Sequence, residues 1–125
     1  LSHLADWNAG RAAAADRYRE RLSDLDEVVV PSEREDATHV YHLFVVQVPE
    51  RDALREHLDE QGIDTGIHYD PPVHHTPAMR EYLDEVPSLP ETERLCDRIC
   101  SLPMHPRITD EEIDRVAEEI RRFYR

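Results

Sequence analysis

Three histidines, His68, His74 and His75, fall within eight residues of one another, beside Tyr69 and the turn Asp70-Pro71-Pro72. Imidazole and phenol groups donate and accept hydrogen bonds, move protons and, for imidazole, ligate metals. A zinc site takes four ligands, or three plus water, at regular spacing. This cluster shows no regular pair and no evident fourth ligand, so we expect no metal here and read polar loop side chains. Cys96 and Cys100 lie four apart, without the Cys-x-x-Cys turn of a redox pair. They read as small hydrophobes sharing one helix face with Leu95 and Ile99. His39 and His42 flank the onset of an apolar run and read as partners of nearby backbone. The only glycines are Gly10, Gly62 and Gly66, so there is no glycine-rich phosphate loop, and no serine sits in a nucleophile elbow.

What the chain lacks is as informative. All 15 of its cations are arginine. A lysine amine deprotonates and attacks carbonyl carbon, whereas a guanidinium stays charged and is a poor nucleophile. No Schiff-base chemistry through a lysine side chain can take place on this sequence. We therefore assign it no catalytic residue.

Composition narrows the remaining classes. The 125 residues are enough for one domain with a modest core, and the hydrophobic and charged fractions, 39% and 34%, describe a globular chain with a heavily solvated surface. The formal net charge of −13 repels phosphate backbones and anionic lipid heads, which argues against nucleic-acid or membrane partners. No apolar run has membrane-spanning length and the N-terminal residues lack signal-peptide order. Two cysteines are no disulfide framework, so the expected compartment is a reducing cytoplasm. A lysine-free acidic surface suits a salt-rich cytoplasm, and a GC-rich genome favours the same bias.

The elements that must position these residues follow from periodicity. Leu4, Trp7, Arg11, Ala14, Tyr18, Leu22 and Leu25 predict a long helix over residues 1–26, with a stripe too apolar to be wholly covered by so small a domain. Val28-Val29-Val30-Pro31 reads as a short strand and residues 32–39 as a loop. Val40 to Val48 reads as a strand buried on both faces. Glu50 to Gln61 reads as a helix with Gly62 as its left-handed stop. Ile63 to Tyr69 reads as a further strand, ended by the proline turn. A short helix is expected over 77–85, and another from Ser88, with Glu91 completing a capping box. Residues 101–106 read as extended. Thr109 and Glu112 form a second capping box, opening a last helix with Ile113, Val116, Ala117, Ile120 and Phe123 inward. The fold class is α/β (α+β): a small, mainly antiparallel sheet of about three strands packed by helices.

The order of these segments resembles a known family. Trp7-Asn8, Arg11, Ala15, Tyr18-Arg19 and Leu22 are similar to the long interdomain helix of DegT/DnrJ-type sugar aminotransferases. Val40 to Val46, Arg51-Asp52-Ala53-Leu54 with Leu58, Gly62 to Tyr69, Pro72-Val73-His74, Pro77-Ala78, Ser101 to Pro106 and Thr109 to Glu112 follow in that family's order and spacing. The resemblance covers essentially the whole chain. It implies the small C-terminal domain of a fold-type I transaminase that depends on pyridoxal phosphate (PLP), with residues 1–26 as interdomain helix and 27–125 as the sheet-and-helix body.

By the same resemblance, the PLP-binding large domain and its lysine lie outside this chain, which alone is expected to be inactive. The implied substrate is a nucleotide-linked keto-sugar, the implied amino donor is glutamate, and the implied assembly is a homodimer. His68, Tyr69 and His74 match family positions near the sugar-nucleotide site, where they would bind substrate without covalent work. Asp70 stands where the family usually has proline, and His75-Thr76 where it has Leu-Gln. A carboxylate at position 70 must point away from a sugar diphosphate, or the substrate differs. The alternative function is a free-standing binding or regulatory module that kept the small-domain fold without catalysis.

Overall fold

The computed structural model describes residues 1–125. Helix α1 (Leu4–Leu22) lies beside the last helix, α5 (Asp110–Tyr124), and α5 in turn packs on α2 (Arg51–Glu60). Between α1 and α2 in sequence runs strand β1 (Phe44–Gln47). A 3₁₀ turn (Val73–His75), the one-turn α3 (Pro77–Arg80), α4 (Pro90–Cys96) and strand β2 (Ile99–Leu102) complete the order.

β1 and β2 pair antiparallel, with Phe44 opposite Leu102 and Val46 opposite Cys100. Single bridges extend this ribbon on both sides, Val29 to Gln47 and Gly66 to Ser101. The sheet is thus two strands wide with one-residue contacts at its margins. The segments expected as strands at 28–30 and 63–69 reach it only at Val29 and Gly66. The 40–48 run is shorter than its composition implies: Tyr41 adopts a positive φ of 46°, and β2 offers only four residues to pair with. Along β1 burial alternates, with Phe44 and Val46 fully buried and Val45 and Gln47 partly exposed, so the strand is covered on one face and not on both.

Two helix boundaries also differ from expectation. Cys96 ends α4 and Cys100 sits on β2, so the two cysteines do not share a helix. Ile99 to Leu102 are better satisfied by ladder bonds to β1 and Gly66 than by another helical turn. The first residue of α4 is Pro90, and Ser88 does not cap it; the Leu89 N–H donates instead to the Glu93 carboxylate at 2.8 Å. The helix expected over 77–85 stops at Arg80.

Other signals hold. Thr109 and Glu112 exchange the two bonds of a capping box, at 3.2 and 2.8 Å. Gly62, at φ 70°, ends α2 in a Schellman motif: its N–H reaches the Asp59 carbonyl and the Ile63 N–H reaches that of Leu58. The core joins Tyr18, Leu22, Phe44, Val46, Leu54, Leu58, Cys100, Ile113 and Ile120. Tyr18 stacks on Phe44 at 4.9 Å, and its hydroxyl donates to the Pro103 carbonyl at 2.9 Å. Gly10 lets α1 approach the Pro106 carbonyl, which a Cβ would strike. The N-terminal part of the α1 stripe stays open, with Leu4 and Trp7 exposed. No helix is long and apolar enough to cross a membrane.

Candidate functional site

The segment from Gly66 to His75 carries the residues singled out by the sequence, and it is fixed from below by four polar contacts. The first is at its start. Gly66 exchanges two backbone bonds with Ser101 of β2, at 3.0 and 2.8 Å. Its missing side chain makes room for the His68 ring, since a Cβ there would lie 2.6 Å from the imidazole Cε1. His68 Nδ1 then meets Ser101 Oγ at 2.8 Å. The Gly66 backbone pair and the His68 ring thus both rest on Ser101 of β2, so the ring inherits the rigidity of the ladder.

Tyr69 follows, with its ring edge-on to His68 at 5.2 Å. The peptides His68–Tyr69 and Asp70–Pro71 are both cis. The Tyr69 carbonyl accepts from Cys96 Sγ at 3.2 Å, the second contact. Burial, with the nearby Asp70 carboxylate adding to it, pushes the Cys96 thiol pKa up, so this sulfur is a donor and not a thiolate nucleophile. The Tyr69 side chain is 75% exposed and its hydroxyl makes no bond within the chain.

Asp70 supplies the third contact. Its carboxylate accepts from Arg51 at 3.3 Å. Arg51 is buried at the head of α2, donates also to the Cys96 carbonyl, and pairs with Asp52 at 2.8 Å. The acid at position 70 is therefore held on a guanidinium of the domain body, which neutralises a charge that would otherwise repel an anionic ligand.

The fourth contact closes the segment. Pro72 is extended and enters the 3₁₀ turn, whose end is tied by the Thr76 hydroxyl to the Val73 carbonyl at 2.7 Å. His74 is buried, and its Nε2 lies 3.1 Å from Glu93 of α4. The Leu89 N–H first, and then His74, hold the Glu93 carboxyl below its ordinary range. His75 is partly exposed, and its ring lies tilted against that of His74 with centroids 4.2 Å apart.

The structure thus places His68, Tyr69 and His74 on one short, proline-stiffened segment, with His68 resting on β2, His74 turned inward onto α4, and Tyr69 reaching outward. No hydrogen bond links one to another. None of them lines an enclosed cavity. A cleft of about 360 Å³ lies elsewhere, lined among others by Gly62, Asp64, Met104, His105 and Arg115. The segment is an open wall, and chemistry on it needs an opposing surface. The residues sequence reasoning missed are its supports: Ser101, Cys96, Arg51 and Glu93. His39 does bond to backbone as expected, accepting from the Tyr41 N–H at 2.9 Å.

Nothing in this wall fits the covalent anchoring of PLP, because all 15 cations of the chain are arginine. What the fold and the site define is a mixed α/β unit presenting a braced polar turn. The comparisons give that unit its family. Residues 1–121 match the DegT/DnrJ/EryC1/StrS aminotransferase family, and the chain belongs to it.

A dTDP-3-amino-3,4,6-trideoxy-alpha-D-glucose transaminase from Streptomyces venezuelae is 40% identical over 98% of this chain, which spans 32% of that protein. The crystal structure of S. venezuelae DesV in complex with a ketimine intermediate superposes with a TM-score of 0.92 at 38% identity, over 98% of this chain and 33% of that one. The structure of NtdA from Bacillus subtilis, with bound cofactor PMP, shares 32% identity and a TM-score of 0.80, over 93% of this chain and 28% of that one. The chain spans about a third of the length of the curated relatives it matches.

Proposed function

We propose that this chain is the small C-terminal domain of a PLP-dependent aminotransferase acting on a nucleotide-linked keto-sugar, in which it supplies substrate-pocket and dimer surfaces. The observation that carries the reading is the Gly66–His75 wall, a polar turn braced from below and open above, on a chain with no lysine. Transaminase names among the relatives supply the substrate class.

In this reading PLP supplies the electron sink for amino-group exchange, from a lysine-bearing large domain outside these residues. This chain binds and orients. The Tyr69 hydroxyl and the His68 ring offer donors and acceptors to sugar hydroxyls or phosphate oxygens. His74 shapes the wall from beneath through Glu93. Arg51 keeps the Asp70 charge engaged away from the substrate. The exposed Leu4 and Trp7 belong to the surface covered by the rest of a homodimeric enzyme. Glutamate is the proposed amino donor, and the cytoplasm the proposed compartment.

The test is direct. With the Leu1 α-amine blocked, PLP followed by borohydride should leave no adduct on this chain and a transamination assay should read background. Joined to the lysine-bearing portion, the same chain should support turnover of a dTDP- or UDP-linked keto-sugar. A trapped adduct on the isolated chain, or no turnover by the complete protein with any such sugar, would overturn the reading.

A further inference from the structure

Residues 19 positions apart in sequence meet where the 3₁₀ turn touches α4. One ligating atom each from His74, His75 and Glu93 lies within 4.8 Å of the others. His74 Nε2 is 3.1 Å and His75 Nε2 is 3.8 Å from the same oxygen, Glu93 Oε1. We propose that these three side chains form a binding site for a divalent transition cation of the zinc type.

The geometry points that way on three counts. Ligands about 2.0–2.1 Å from a tetrahedral zinc stand roughly 3.3 Å from each other. Two of the three pairs here bracket that separation, and the half-exposed His75 needs only a small side-chain rotation to complete the triangle. The donor set is two imidazoles and one carboxylate, the borderline-soft combination that zinc, nickel and copper prefer over magnesium or calcium.

The three groups also differ in how they are held, as an open site requires. His74 is buried and fixed by the turn, which presets one ligand. Glu93 is oriented by the Leu89 N–H on Oε1, and its second oxygen accepts no hydrogen bond within the chain. The His75 ring makes no hydrogen bond and is partly exposed to solvent, leaving a fourth position for water. The sequence spacing hid this site because its third ligand comes from α4. The proposal rests on no part of the transaminase reading.

The experiment is calorimetric titration of zinc chloride into the full chain, prepared without a tag and stripped with chelator, in excess magnesium to saturate surface carboxylates. One zinc per chain should bind at micromolar concentration, and cobalt in its place should give a visible d–d band from nitrogen ligation. His75→Ala, at a half-exposed position that leaves the fold intact by circular dichroism, should weaken binding at least about tenfold. Glu93→Gln should do likewise, and His105→Ala should have no effect. No saturable heat with zinc, or affinity in His75→Ala equal to that of the unaltered chain, would overturn the proposal whatever the outcome of the transamination tests.

Discussion

Two regions of this molecule are held together by different physics. The helical body, α1, α2 and α5 around β1, is joined by apolar packing: Tyr18, Phe44, Leu54, Leu58, Ile113 and Ile120 are all essentially inaccessible to solvent. At its rim Arg17 makes a bidentate pair with Asp114 at 2.9 and 2.7 Å. The Gly66–His75 wall has little such packing, since Tyr69 and Val73 are exposed. It is placed by discrete polar contacts to Ser101, Cys96, Arg51 and Glu93. The body tolerates loss of any one rim contact, because burial there is shared among many atoms. The wall depends on a few, each setting the position of one residue. A scaffold of the first kind carries a site of the second.

The largest effect is expected in the core. Phe44→Ala removes a fully buried ring stacked on Tyr18 and should cost about 3–5 kcal/mol. Urea denaturation would report it as a lower midpoint with the slope retained. Arg51→Met should cost less, about 1–3 kcal/mol, by leaving the Cys96 carbonyl without its donor and Asp70 without its cation. Its signature is local: amide exchange should quicken through residues 68–75 while α1 and α5 keep their protection. Uniform loosening of both regions would show that the wall has no separate support.

Tyr18→Phe isolates one bond inside the body. The ring and its stacking remain, and only the bond to the Pro103 carbonyl goes, for about 1 kcal/mol by the same denaturation measurement.

The smallest effect is electrostatic. Arg121, and with it Arg125, lower the Asp24 pKa from the ordinary 3.8 to about 2. A depressed carboxylate stabilises the fold above its unfolded value, and that contribution is lost as pH falls from near 4 through 2. Asp24→Asn should therefore melt slightly below the unaltered chain at neutral pH, and the two melting temperatures should converge in that acid window. Asp24 is about half exposed to water, so added salt should narrow the gap too.

How much of this was legible in the sequence follows the same division. Features set by neighbours in the chain could be read directly: the Thr109–Glu112 capping box, the Gly62 stop and the stripe of α5 are each complete within a few residues. The α/β class, the antiparallel pairing and the family follow from segment order, and the matched span of residues 1–121 agrees. The supports of the wall could not be read. Glu93 lies 19 residues from His74, Cys96 27 from Tyr69, Ser101 33 from His68 and Arg51 19 from Asp70. No local spacing encodes such meetings. β2 was hidden for a related reason: Leu95, Cys96, Ile99 and Cys100 fit a helix face, and only the presence of β1 and Gly66 as ladder partners makes Ile99 onward a strand. Asp70, an awkward charge in sequence, is explained once Arg51 is seen beneath it.

The proposed role of the braced turn as a substrate wall turns on the outward-facing Tyr69. In the complete enzyme carrying this chain, Tyr69→Phe removes one exposed hydroxyl that makes no bond within the domain, so stability should not change. KM for the nucleotide-linked sugar should rise about three- to tenfold, the worth of one substrate hydrogen bond, with KM for the amino donor unaltered. Unchanged KM and kcat for the sugar in both Tyr69→Phe and His68→Ala would contradict it and leave the turn a purely structural element.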